Sequence, residues 1–112
     1  MAMLKSVRIA KKELEERKAE DVMVVDVREN TPFADYYVIA TAPNEKALGA
    51  FADYVEEALE KEGVEVRQKD GTPDSGWVIV DAGPVVVHLF SEAKRKEIAL
   101  DGLLAHRLEN KK

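Results

Sequence analysis

Apolar positions near the start of the chain fall at helical spacing. Leu4, Val7, Ala10 and Leu14 recur among Lys and Glu, which predicts an amphipathic first helix of about four turns with one face against something apolar. The period then shortens. Val22 to Val27 is a nearly continuous β-branched run broken by Asp26, the pattern of a strand buried on both faces inside a sheet. Asn30-Thr31-Pro32 reads as a turn, and Tyr36 to Ala42 as a second buried strand, entered through Asp35 and left through Pro43.

A helical period returns after Pro43. Asn44 suits an N-cap, Glu45 suits the first turn, and Ala47, Leu48, Phe51, Ala52, Val55, Ala58 and Leu59 share one face until Gly63 supplies a left-handed stop. Val64 and Val66 alternate with Glu65 and Arg67, which predicts a half-exposed strand. The stretch from Lys69 to Gly76 has no apolar residue and predicts a surface loop. Trp77 to Asp81 and Val85 to Phe90 read as strands joined by Ala82-Gly83-Pro84 in an antiparallel hairpin. Ser91 then caps a final helix whose apolar residues are Ile98, Leu100, Leu103, Leu104 and Leu108.

The predicted order is α-β-β-α-β-β-β-α. A helix between the second and third strands requires a crossover, while the last three strands look hairpin-linked. The expectation is therefore an α/β fold with a mixed five-stranded sheet and flanking helices. No repeat, linker or low-complexity tract divides the chain, so residues 1–112 are expected to form a single domain.

Composition narrows the chemistry. The chain has 112 residues and no cysteine, which removes disulfides, thiolate metal sites and cysteine nucleophiles. No apolar run approaches the ~20 residues of a membrane span, and Met1 to Arg8 lacks the apolar core of a signal peptide, so a soluble, cytoplasmic protein is expected. The net charge is −5, and its distribution matters more than its size. The termini are close to neutral or slightly basic, while residues 22–90 hold thirteen acidic against five basic side chains. Binding of a polyanion draws on a contiguous cationic surface, which this acidic middle does not offer. It is better matched to a basic protein partner.

Candidate catalytic groups do not converge. His88 is the only histidine in a predicted strand, and no H-x-H, H-E-x-x-H or D-x-D spacing accompanies it, so it reads as a structural side chain. His106 falls in the final helix near its end, where a cation suits the dipole. Asp35 and Asp81 adjoin turns and suit capping roles. Asp26 lies inside an apolar strand, but a two-metal phosphoryl-transfer site wants a second carboxylate two residues away, and positions 28 and 83 are Arg and Gly. Gly-x-Ser-x-Gly, G-x-G-x-x-G and P-loop patterns are all absent.

Trp77 is the informative aromatic. In a strand it shares a face with Ile79 and Asp81, while Val78 and Val80 point the other way. If the valines face the helices, Trp77 and Ile79 occupy an open face ringed by Asp70, Asp74 and Asp81, which resembles a protein-binding hot spot. The pattern is equally compatible with a second helix covering that face and Trp77 lying in the core.

Together these segments resemble the ribosomal silencing factor family, also called Iojap-like. The resemblance runs from Asp21 through Leu104 on Asp21-Val22 with Val25-Asp26-Val27, Asp35 to Thr41, Asp70-Gly71, Trp77 to Asp81 with Gly83, and Val87 to Phe90 with Arg95, Leu100 and Leu103. It implies a fold like that of the nucleotidyl transferases without their metal carboxylates, no catalysis, and no cofactor. It further implies binding to a basic protein on the intersubunit face of the large ribosomal subunit, which blocks joining of the small subunit and represses translation, with homodimers in some members. By position, Trp77 and Ile79 would be apolar anchors, Asp70 and Asp81 would meet basic partner residues, and His88 and Arg95 would support that surface. The chain departs from the family pattern at Thr41-Ala42-Pro43-Asn44, Pro84, Ile98, Asp101 and Leu104. Two other classes compete: a nucleotide-using transferase remnant with Asp26 or Asp81 on a metal, and a homodimerisation module that buries Trp77 against its twin.

Overall fold

A computed structural model describes residues 2–98 and 106–107, with side chains described for residues 5–98. Helix α1 spans Ala2–Glu16, followed by strand β1 at Glu20–Asp26, strand β2 at Tyr36–Ala42 and helix α2 at Glu45–Lys61. Strand β3 at Gln68–Thr72 leads through a 3-10 turn at Pro73–Ser75 to β4 at Trp77–Ala82 and β5 at Val85–Ser91. Helix α3 at Glu92–Ile98 and a two-residue strand β6 at His106–Arg107 complete the described chain.

The sheet order is β3-β4-β5-β2-β1-β6. β2 and β5 run parallel and every other neighbouring pair is antiparallel, so the sheet is mixed, as the crossover requires. Its five principal strands have helices on both faces. On one face α1 and α2 bury Val7, Ala10, Leu14, Leu48, Phe51, Val55 and Leu59 against Val38, Ala40, Val78, Val80, Val87 and Leu89. The other face holds a smaller cluster of Met23, Val25, Val27, Ile39 and Phe90, with Ile98 of α3 packed against it. The double-sided burial expected of the first two strands thus arises because β1 and β2 contribute to both clusters.

Helix α2 follows its local signals. The Asn44 side chain accepts a hydrogen bond from the Ala47 N–H at 2.8 Å, and Gly63 takes a φ of +84° just past the end. Ser91 likewise accepts from the Lys94 N–H at 3.1 Å at the start of α3.

Three expectations are corrected. Val64 and Val66 are half-buried on the rim of the core but belong to no strand, and the strand begins four residues after Val64, at Gln68. The stretch from Lys69 to Gly76 is not a loop throughout, because Lys69 to Thr72 pair with β4 from Trp77 to Val80. The reason is backbone accounting: the outer edge of β4 presents N–H and C=O groups that a neighbouring chain satisfies whatever its side chains. All five residues of β3 are accordingly exposed. The third correction concerns His106, expected in a helix. Its backbone instead pairs with Asp26, and Arg107 with Val25, so the chain completes the free edge of β1. Leu100, Asp101, Leu103, Leu104 and Leu108 lie outside the described residues.

Candidate docking face of the sheet

Alternation along β4 sets the site. Val78, Val80 and Ala82 are buried toward α1 and α2, while Trp77, Ile79 and Asp81 point to the opposite face and are half-buried. The strand register extends this face sideways. Asp70, Ile79, His88 and Ile39 stand in one cross-strand row, and Gln68, Asp81, Val86 and Tyr37 in the next. Thr72, Trp77, Phe90 and Thr41 form the row on the other side. Asp70, Trp77, Ile79, Asp81 and His88 therefore share one surface. Trp77 is neither sealed in the core nor fully open. Its indole packs against Phe90, at 5.1 Å between ring centroids, and against His88, and part of it remains accessible.

His88 lies at the centre and is 6% exposed. Its ring is 4.4 Å from that of Tyr37 and 5.9 Å from that of Trp77. The Trp77 indole N–H donates to His88 Nδ1 at 3.1 Å. An indole nitrogen can only donate, so Nδ1 is the acceptor and the imidazole proton sits on Nε2. That buried Nε2 has no hydrogen-bond partner among the described residues. An unpaired buried donor of this kind costs about 1–3 kcal/mol. Burial alone pushes the His88 pKa from 6.5 down to about 4, so the ring is neutral at neutral pH. The expectation of a structural histidine accounts for its burial and not for this unpaired donor.

The carboxylates have separate partners. Asp81 Oδ1 accepts from the Gly83 N–H at 2.9 Å, which closes the hairpin turn. Asp70 Oδ2 accepts from Gln68 Nε2 at 2.8 Å on the exposed edge strand. Asp26 is held by Arg28, whose Nη2 lies 2.6 Å from Oδ2 and whose Nε reaches Oδ1 at 3.0 Å. A strand-borne carboxylate engaged by a guanidinium in this two-pronged way is not presented to a metal. Among the described residues there is no group of three or more His, Asp or Glu side chains that could hold one.

Arg95 reaches the Thr41 end of the Trp77 row. Its Nη1 donates to the Asp21 carbonyl and to the Thr41 hydroxyl, both at 2.8 Å, and so ties α3 across the ends of β1 and β2. Tyr37 and Phe90 belong to the site although the sequence reading did not single them out. Period-two alternation puts Tyr37 with Ile39 and Phe90 with His88, but the antiparallel β4–β5 register brings Phe90 and His88 beside Trp77, and the parallel β2–β5 register brings Ile39 and Tyr37 beside His88. Among the departures from the family pattern, Pro84 supplies a carbonyl that accepts from the Asp35 and Tyr36 N–H groups, and Ile98 packs on the second core cluster. Both positions are thus used within the fold. Among the described residues no helix is long and apolar enough to cross a membrane.

The chain resembles known proteins over nearly its whole length. Residues 2–112 match the family model described as "Ribosomal silencing factor during starvation". The ribosomal silencing factor of Bacillus subtilis is 30% identical over 96 residues, which cover 86% of this chain and 81% of that protein. That of Treponema pallidum is 37% identical over 87 residues, covering 77% and 78%. A Chromobacterium violaceum protein solved by X-ray crystallography superposes with a TM-score of 0.88 at 29% identity, covering 93% of this chain and 87% of that one. A Bacillus halodurans crystal structure superposes at 0.78 with 26% identity, covering 89% and 93%. With a family model matched over residues 2–112 and relatives at 30% and 37% identity over most of both chains, the chain belongs to the ribosomal silencing factor family.

Proposed function

We propose that the half-open sheet face carrying Trp77 and Ile79 docks on a basic protein of the large ribosomal subunit, at the surface the small subunit must meet, and that the bulk of the domain then prevents joining. The mechanism is steric. It asks for no bond to be made or broken, only for a surface that binds long enough to exclude a competitor. The observation that carries the reading is the juxtaposition on one face of two partly accessible apolar side chains with Asp70 and Asp81 in adjoining rows.

Each part has a physical role. The acidic middle of the chain favours encounter with a cationic surface and disfavours bare phosphate backbone. Trp77 supplies an indole already packed on one side by Phe90, so little freedom is lost when the other side is covered. Asp70, exposed at the edge, meets basic partner residues at the rim. Arg95 supports the surface at its Thr41 end by holding α3 against β1 and β2. Such a protein acts where ribosomes assemble, in the cytoplasm.

The test is Trp77→Ala in co-sedimentation with purified large subunits. Truncating a central aromatic anchor is expected to cost about 2–4 kcal/mol, or roughly 30- to 1000-fold in affinity. Circular dichroism should show an intact fold. Undiminished binding by the folded variant refutes the docking face.

A further inference from the structure

His88 is an expensive choice for a buried position that needs only to be filled. The other buried positions of β5 are apolar, namely Val85, Val87, Leu89 and Phe90. An isosteric hydrocarbon at position 88 would pack against Tyr37, Ile39, Ile79 and Phe90 without leaving a buried donor unpaired, as His88 Nε2 is left. What the imidazole provides and a hydrocarbon cannot is an acceptor at Nδ1, and among the described residues the donor using it is the Trp77 indole, at 3.1 Å. Trp77 keeps partial exposure, and the hydrogen bond is itself part-buried. Its consequence is geometric: together with the ring contacts to Phe90 and His88 it selects one orientation of the indole.

We infer that His88 is a positioning residue for docking, whose Nδ1 locks the Trp77 indole in the orientation presented to the partner, with the unpaired Nε2–H as the stability given up for it. The inference rests on the docking face proposed above. Violation of a local packing rule beside a functional anchor, offset elsewhere in the fold, is the pattern expected of a residue kept for function. A purely structural histidine would affect stability and binding in the same direction. A positioning histidine affects them in opposite directions.

Two variants and three readouts test this. His88→Leu removes the acceptor and the orphaned donor together, while His88→Gln retains a side-chain oxygen able to accept from the indole. Trp77 is the only tryptophan, so acrylamide quenching of fluorescence reports its mobility without a label. The Leu variant should unfold at the wild-type urea concentration or above it, show stronger quenching, and bind large subunits about threefold to tenfold more weakly, the range of one hydrogen bond. The Gln variant should recover quenching and binding toward wild type. Wild-type quenching in the Leu variant overturns the inference, as does weak binding shared equally by both variants together with a lowered urea midpoint. If the wild-type protein does not co-sediment with large subunits, the docking reading fails by itself. Quenching and urea midpoints then still decide whether His88 holds the indole at a cost in stability.

Discussion

Acidification from pH 7 to pH 5 acts on the native state through His88 in a way that can be worked out. In the unfolded chain the imidazole titrates near 6.5, and burial in the fold pushes it to about 4. Above pH 6.5 the ring is neutral in both states and contributes no pH dependence. As the pH falls below 6.5 the unfolded chain takes up a proton that the folded chain cannot, so the native state loses stability. The loss continues until the pH reaches about 4, where the buried ring also protonates. The slope is about 1.4 kcal/mol per pH unit, so His88 should remove about 2 kcal/mol by pH 5 and about 3 kcal/mol at the end of the window. Against a total of about 5–15 kcal/mol for a domain of this size, that is a substantial fraction. No carboxylate is among the causes of the shift, so the effect isolates one group. Urea unfolding followed by far-UV circular dichroism at pH 7, 6 and 5 would measure it, with His88→Leu as the reference that has no ring to titrate. The wild-type midpoint should fall with acidification more steeply than that of the variant. Parallel pH dependence in the two proteins refutes the reasoning, and so does a wild-type protein that gains stability on acidification.

Three further outcomes concern the frame of the fold. At Gly71 the backbone has a φ of +82° and an added Cβ would lie 2.1 Å from the Trp77 carbonyl oxygen, so Gly71→Ala should destabilise by about 2 kcal/mol or more in urea unfolding. Gly63→Ala, also at positive φ but with open space around the added carbon, should cost only about 1 kcal/mol. Asn44→Ala removes the oxygen that accepts from the Ala47 N–H, and should lower stability by about 1 kcal/mol, with Asn44→Asp restoring most of it in the same assay.

Elements specified by their own side chains were legible in the amino-acid order. The α2 cap, face and stop, the alternation that turns Val78 and Val80 away from Trp77, and the buried character of β1 and β2 each follow from local periodicity and capping. The sequence also shows Arg28 two residues after Asp26, where a two-metal site would need a second acid. β3 was not legible. Its residues are all exposed, and it is a strand because the edge of β4 is unfilled, which is a property of the neighbouring strand. The same holds for the pairing of His106 and Arg107 with β1.

The candidate site divides along the same line. Which residues of β4 could reach a partner is determined by the two-residue period of a strand, and the sequence alone decides it. That Trp77 is only half accessible, that Phe90 stands beside it, that His88 accepts its N–H and that Tyr37 packs on His88 depend on the β4–β5 and β2–β5 registers. Register is settled when whole faces are buried together, because a slip of one residue would turn the valines of β4 and β5 out of the core. Chain order thus determined the face, and tertiary packing determined what stands beside the tryptophan and how its ring is held.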